Sequence, residues 1–382
     1  MGAVPHFDTL DQICKGKREV FVFFDFNNNI KGLYYEEMMK TVVSAIQSNP
    51  KVFPSWLIDE WMMVEEYFER YAKSRKVKMH MTYFSEGGES YYHTSIFKNY
   101  KKSRKNASFM MSSFVAGEFE SYDNPNELIR AFLVSSWKLI ELYCSDSNIF
   151  ALRMENLDAD FVPEMLIHNF NIYQDDDDVA YIIISSDGDY IQTLDYADNI
   201  YIVDCNRIIT YYNWPSSKSY LVPRRKKEAI SESTSFFPEN TSPDRIILFK
   251  AIVGDSSDSI PGIKGVGPVA FYDSFLNLIP DDVRADDIDA IEKICLERKA
   301  DNKVCAKILE NFDTFSRMIR LVSFRHLIKW LQGTQNYLFI KGIIKRNRSA
   351  FEESANLMGA HPRKKERFIP FGKVDVEYKK YM

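Results

Sequence analysis

Cysteine is scarce in this 382-residue chain and never clustered: Cys14, Cys144, Cys205, Cys295 and Cys305 form no C-x-x-C pair. An odd, scattered set excludes a disulfide scaffold and a zinc site of ordinary spacing, and indicates a reduced intracellular protein. Long apolar runs are also missing, so no stretch has the length needed to cross a bilayer. The opening residues, Met1-Gly2-Ala3-Val4-Pro5-His6, carry neither the charged start nor the apolar run of a secretion signal, and lack the Ser or Thr of a myristoylation signal. The expectation is a soluble protein inside the cell. Repeats are absent, and the only low-complexity tract is the acidic run 175–178. Nor is there a surplus of positive charge: 49 Lys and Arg against 54 Asp and Glu leave a formal net charge of -5. That average argues against a nucleic-acid partner. It hides a split, because the acids gather at a few motifs while Lys and Arg form separate runs.

What is present is enough apolar material for a sizeable core, with 45% hydrophobic and 14% aromatic residues, which excludes a disordered chain. The length suits one large α/β domain with a helical attachment, or two modest domains. Continuous apolar runs at 20–24, 77–84, 149–153, 181–184 and 200–203 predict buried strands. Helical patterns at 55–72, 127–143 and 161–169 separate them, so the expected architecture is α/β, a mostly parallel sheet flanked by helices. The polar, aromatic and basic stretch 86–126 is too long for an ordinary connection and predicts a functional segment. From Asp244 the pattern is helical to about residue 344, then a charged tail follows. The expected division is an α/β domain over 1–243 and a helical domain over 244–382.

The acids sit at strand ends. The first strand ends at Asp25; Glu155, Asp158 and Asp160 follow the 149–153 run; Asp187-Gly188-Asp189 follows the 181–184 run. Ligands of open parallel sheets bind at the carboxyl ends of the strands, so Asp25, Asp158, Asp160, Asp187 and Asp189 should converge. Carboxylates so placed repel unless cations share them. All-oxygen ligation without His or Cys favours Mg²⁺ or Mn²⁺ over zinc. Two such ions suit phosphodiester hydrolysis. An Asp after a buried strand is often only the cap of the next helix, but acids at three strand ends make caps alone a poor account. His168, on an apolar helix, is better read as structural, and 175–178 as a solvated turn.

Gly254-Asp255-Ser256-Ser257-Asp258-Ser259-Ile260-Pro261-Gly262-Ile263-Lys264-Gly265-Val266-Gly267-Pro268 closely resembles the signature of the 5′ nuclease (flap endonuclease) superfamily, in which G-D-x-x-D precedes a helix–hairpin–helix turn. Ile183-Ile184-Ser185-Ser186-Asp187-Gly188-Asp189-Tyr190 resembles the same family's central metal motif, and the phage ribonuclease H/5′-3′ exonuclease branch is the most similar. The resemblance implies a PIN-like sheet and two Mg²⁺ ions, with Mn²⁺ as a substitute. It implies metal ligands at Asp25, Asp158, Asp160, Asp187, Asp189, Asp255 and Asp258, the first three leaning toward one ion and the other four toward the second. Three positions depart from it. Phe161 stands where an outer acid is common; Phe84-Ser85-Glu86 replaces an F-D pair, so Glu86 is either a longer-reaching ligand or none; and His93 aligns with a basic residue.

Tyr100-Lys101-Lys102-Ser103-Arg104 resembles the family's Y-K-x-x-R element at the base of a helical arch. Lys101 and Arg104, one turn apart on a helix, would meet the scissile phosphate as catalytic groups, with Tyr100 and Lys102 as DNA contacts. A solvated basic helix face is the plainer account of such a run. Of Tyr91, Tyr92, Phe97 and Tyr100, one or two should stack on bases and the rest pack the core. Gly262, Lys264, Gly265 and Gly267 would hold the duplex backbone without reading sequence, and in the family such a turn can also hold a monovalent cation, K⁺. The basic run 224–227 is equally a duplex contact or a solvated loop. The tail 363–371 is either strapped to its own domain or a docking segment for a sliding clamp or a single-stranded-DNA-binding protein.

The resemblance therefore implies a monomeric, Mg²⁺-dependent 5′ nuclease acting on 5′ flaps, 5′ overhangs or RNA–DNA hybrids. One competing reading is a catalytically weak or inactive structure-specific DNA-binding protein of the same fold, for which Ser85 and Phe161 speak. The other is a PIN-type endoribonuclease, which the turn at Gly262–Gly267 disfavours.

Overall fold

The apolar runs form the middle of one sheet. A computed structural model describes residues 5, 7–33, 55–87, 89–102, 150–168, 178–195, 199–204, 210–212, 241–333 and 371–375. The expected strands are β1 (Glu19–Asp25), β2 (Lys78–Gly87), β3 (Phe150–Glu155), β4 (Val179–Ile184) and β5 (Ile200–Asp204). Every residue of β1 and β4 is buried, as the unbroken apolar runs Val20–Phe24 and Val179–Ile184 require of strands covered on both faces. Two further strands lie outside the expectation: β6 (Thr210–Tyr212), antiparallel to β5, and β7 (Phe371–Asp375), parallel to β3. The order is β6-β5-β4-β1-β2-β3-β7, and every pairing but β5–β6 is parallel.

That order places the site. From β1 the chain moves outward through β2 and β3, then returns to lay β4 on the other flank of β1. Strand order thus reverses at β1, and in open parallel sheets a ligand crevice forms at the carboxyl ends of such a reversal. Helices α1 (Phe7–Cys14), α2 (Phe26–Leu33), α3 (Ser55–Arg75), α4 (Tyr91–Ile96) and α5 (Val162–His168) accompany the sheet. The expected helix at 127–143 lies outside the described residues, as does most of the 86–126 segment.

After Asp244 come α6 (Arg245–Val253), α7 (Pro268–Ser274), α8 (Ile288–Arg298), α9 (Lys303–Glu310), α10 (Phe312–Val322) and α11 (Phe324–Gln332). In α10 the buried residues Phe315, Met318, Ile319 and Val322 follow the i, i+3, i+4, i+7 spacing of a core-facing stripe. Asn302 starts α9 by accepting hydrogen bonds from the Val304 and Cys305 amides, and Ser323 starts α11 by accepting one from His326. Buried side chains of the sheet, from Phe21 to Ile202, form one continuous hydrophobic cluster with those of α6 to α11. Strand β7 comes from the tail of the chain, so the segment after 244 is not wholly helical: five of its residues extend the sheet. Among the described residues, no helix is long and apolar enough to cross a membrane.

Candidate metal centre

Three consecutive asparagines after β1 tie the strand ends together. Asn29 donates from its amide to the carbonyls of Asp25 and Ile184, both at 2.7 Å, joining the ends of β1 and β4. Asn28 accepts from the Ser186 hydroxyl at 2.7 Å, and Asn27 accepts from the Ser85 hydroxyl at 3.0 Å. Asp25 is buried among these, accepting from Ser185 Oγ at 2.8 Å and from Tyr190 Oη at 3.4 Å. Tyr190 also donates to Asp160 at 3.1 Å, which links the acid after β3 to the end of β1.

Oxygens of Asp160, Asp187 and Asp189 lie within 4.8 Å of one another, close enough to share a cation. This trio crosses the two groups that the resemblance suggested, because the loops after β3 and β4 meet over β1. Burial, then repulsion from Asp158, pushes the Asp160 carboxyl well above its usual range. Burial raises Asp189 to about 7, with Lys250 opposing the shift and Asp187 adding to it. Oδ1 of Asp158 is buried with no hydrogen-bond partner. Crowded, partly protonated carboxylates and an orphaned carboxylate oxygen are what divalent cations relieve, so the donor set fits Mg²⁺ or Mn²⁺.

Two ammonium groups enter the same cluster. Lys101 Nζ lies 2.5 Å from Asp158 Oδ2, 3.6 Å from Glu86 and 4.0 Å from Asp160. Burial alone would lower its pKa, but Asp158 and Glu86 hold it well above the ordinary lysine range. Lys101 is not on a helix face as expected. It occupies a turn with φ +50, held by its amide's hydrogen bond to the Asp258 carbonyl at 2.8 Å. Arg104 lies outside the described residues. Tyr100 stacks on His93 with ring centroids 4.4 Å apart and donates to Asp158 at 2.9 Å. Burial lowers the His93 pKa to about 4, so this ring carries no charge at neutral pH. Tyr92 belongs to the core, donating to the Arg320 carbonyl, while Tyr91 is exposed. Phe161, where the resemblance led to the expectation of an outer acid, is 1% exposed within the core. Lys102 is exposed at the end of the described segment.

The second ammonium is Lys250, on α6. It pairs with Asp189 and lies 2.8 Å from Asp255. Asp255 closes a short loop through an antiparallel bridge to Ile260, and its Oδ1 accepts from the Ser257 amide and hydroxyl. Asp258 is buried and lines the same small cavity as Asp158, Asp160, Asp189, His93 and Tyr100. Behind this loop, Gly262 has φ +64 and packs so tightly that a Cβ would lie 2.5 Å from the Val253 backbone. Gly265 has φ +78, and its carbonyl accepts from Lys307 Nζ at 2.7 Å. Lys264 and Gly267 are exposed.

The same fold recurs in solved structures. The chain matches a 5′-exonuclease of bacteriophage T5 with bound zinc ions at TM-score 0.53 and 17% identity, covering 88% of this chain and 99% of that one. A bacteriophage T5 flap endonuclease in a complex with DNA and metal ions gives TM-score 0.53 and 16% identity, over 88% and 99%. The chain has the 5′ nuclease fold. At such identities the likeness concerns the fold alone. No protein-family model matches the sequence, and neither does any curated protein.

Within the 5′ nuclease fold the described candidate residues gather at one end of the sheet, around Asp160, Asp187 and Asp189, while Gly262, Lys264, Gly265 and Gly267 form a separate turn behind Asp255. Reasoning from sequence missed Lys250, Tyr190 and Asn27–Asn29. Lys250 was visible as the lone charge inside the apolar run Ile246–Val253, five residues before Asp255. A charge there needs a buried partner. The asparagines stood just past the first acid, beginning two positions after Asp25.

Proposed function

We propose that this chain is a Mg²⁺-dependent, structure-specific 5′ nuclease that hydrolyses phosphodiesters near a free 5′ end. The observation that carries the reading is the convergence of Asp160, Asp187 and Asp189, with Asp25 and Asp158 beside them, at the reversal of strand order. Asp25, Asp158, Asp160, Asp187 and Asp189, with Asp255 and Asp258 from the far side, would hold the ions. Such ions, when bound, supply an activated water and stabilise the leaving oxygen.

The chain's own residues do the rest. Lys101 and Lys250 bring positive charge to the acid cluster, where it draws in a phosphate and offsets charge that develops on it. Asn28 and Asn29 hold the loops after β1 and β4 in register while Asn27 ties the same loop to β2, so the acids keep their spacing. The turn from Gly262 to Gly267 offers backbone to a duplex without reading sequence. Substrates would be 5′ flaps, 5′ overhangs or RNA primers annealed to DNA, cut to leave a 5′-phosphate and a 3′-hydroxyl during replication or repair.

The test is cleavage of a 5′-labelled flap duplex, a nicked RNA–DNA hybrid and a plain single strand, in Mg²⁺ and in EDTA. Mg²⁺-dependent cutting near the 5′ junction is expected, reduced by at least about 10³-fold in Asp187→Asn. Tight junction binding with no cutting in Mg²⁺ or Mn²⁺ would replace the enzyme with a DNA-binding protein of the same fold.

A further inference from the structure

The turn between α6 and α7 carries a cation of its own. Lys307, on α9, sets its ammonium 2.7 Å from the carbonyl oxygen of Gly265. The contact is built into the fold from three sides. Gly265 has φ +78, and a Cβ there would stand 2.7 Å from Lys307 Nζ, so glycine gives both the backbone conformation and the room. Asn302 holds α9 against α7, donating to the Ser274 carbonyl at 2.5 Å while its oxygen caps α9. Two other carbonyls of the turn already have backbone donors: Ile263 accepts from Val266 and Gly267 accepts from Phe271, both at 3.0 Å.

A monovalent ion at this turn, as the resemblance implies, does not fit these residues. It would coordinate backbone oxygen, and the Gly265 oxygen is taken by an ammonium that would repel a second cation. We infer that Lys307 is the resident cation of the duplex-facing turn, so that duplex binding does not depend on K⁺. The inference rests on the nuclease reading, in which this turn meets a DNA backbone. Bare carbonyl oxygens repel phosphate oxygens. A tethered ammonium on the carbonyl reverses that sign and becomes one of the charges that displace counterions from the duplex. Lys264 and Lys303 lie exposed nearby and add to the same face.

The experiment is fluorescence anisotropy with a flap duplex in Ca²⁺, in KCl, NaCl and tetramethylammonium chloride at equal ionic strength. Wild-type affinity should agree across the three salts within about twofold, with its salt dependence set by phosphate contacts. Lys307→Met should weaken binding several-fold in tetramethylammonium chloride and lower the slope of log K against log salt by about one. K⁺ should then restore part of the loss, and Lys307→Arg should retain wild-type behaviour; a merely structural lysine would show neither effect. Wild-type binding that is at least about fivefold tighter in KCl than in tetramethylammonium chloride would overturn the inference, and needs no variant to fold. So would a Lys307→Met protein that binds like wild type in every salt. Failure of the wild type to bind the duplex in any salt would instead sink the nuclease reading.

Discussion

At the scale of single residues, charge inside the cleft is set by burial and by charged neighbours together. The resemblance set His93 at the place of a basic residue, yet its pKa is lowered to about 4 by burial, and its ring stacks on Tyr100. A histidine depressed this far binds fewer protons folded than unfolded between about pH 4 and 6.5. Its neutral form therefore supports the fold above pH 6.5, and that support is lost as pH falls toward 4. An NMR titration of the His93 imidazole should find it neutral at pH 7 and titrating near pH 4. A midpoint near 6.5 would return a positive charge to this position. The positive charge comes from Lys101 and Lys250, each in an ion pair with an acid of the cluster. Lys101 was singled out by its motif; Lys250 was signalled only as a lone charge in an apolar run, and its partners Asp189 and Asp255 emerge only in the fold.

At the scale of elements, the turn glycines differ in what they do. All three stood in one motif, and the sequence offered no way to separate them. Gly262 has φ +64 and no room, since a Cβ would meet the Val253 and Gly254 backbone at 2.5–2.6 Å. Gly267 has φ -103, and nothing lies within 4 Å of a Cβ built on it. Gly262→Ala is therefore expected to cost about 2 kcal/mol or more, by strain that no side-chain rotation relieves, and to lower duplex affinity with it. Gly267→Ala should leave the melt unchanged and weaken duplex binding several-fold, because only an approaching phosphate would meet the new methyl. Denaturant melts and anisotropy on both variants check this. Unchanged binding by Gly267→Ala would remove that residue from the interface.

At the scale of the whole molecule, the division at residue 243 meets a shared core. Gln192, after β4, donates to the Val322 carbonyl and accepts from the Phe324 amide, tying the sheet to the junction of α10 and α11. Among the described residues one buried cluster takes in side chains from Phe21 to Leu331, and β7 brings the tail back to the edge of β3. Calorimetry of the metal-free chain is expected to show one cooperative transition, with equal calorimetric and van't Hoff enthalpies. Two separated transitions would restore two independent domains.

The sequence by itself determined the central strands, because unbroken apolar runs such as Val20–Phe24 have few other stable places. It also placed Asp25 at the end of a strand and Asp158, Asp160, Asp187 and Asp189 shortly after two others, from which a meeting at one edge of the sheet was expected. These are local properties, carried by short stretches of chain. The tertiary structure alone decided which acids face each other, that Lys250 and Lys101 lie among them, and that Lys307 reaches Gly265 across 42 positions. It also decided that β6 and β7 form the two edges of the sheet, since three residues in β6 and the mixed sequence Phe371-Gly372-Lys373-Val374-Asp375 in β7 carry too little pattern to be read. Contacts between distant segments depend on how layers stack, and no local period of the sequence records that.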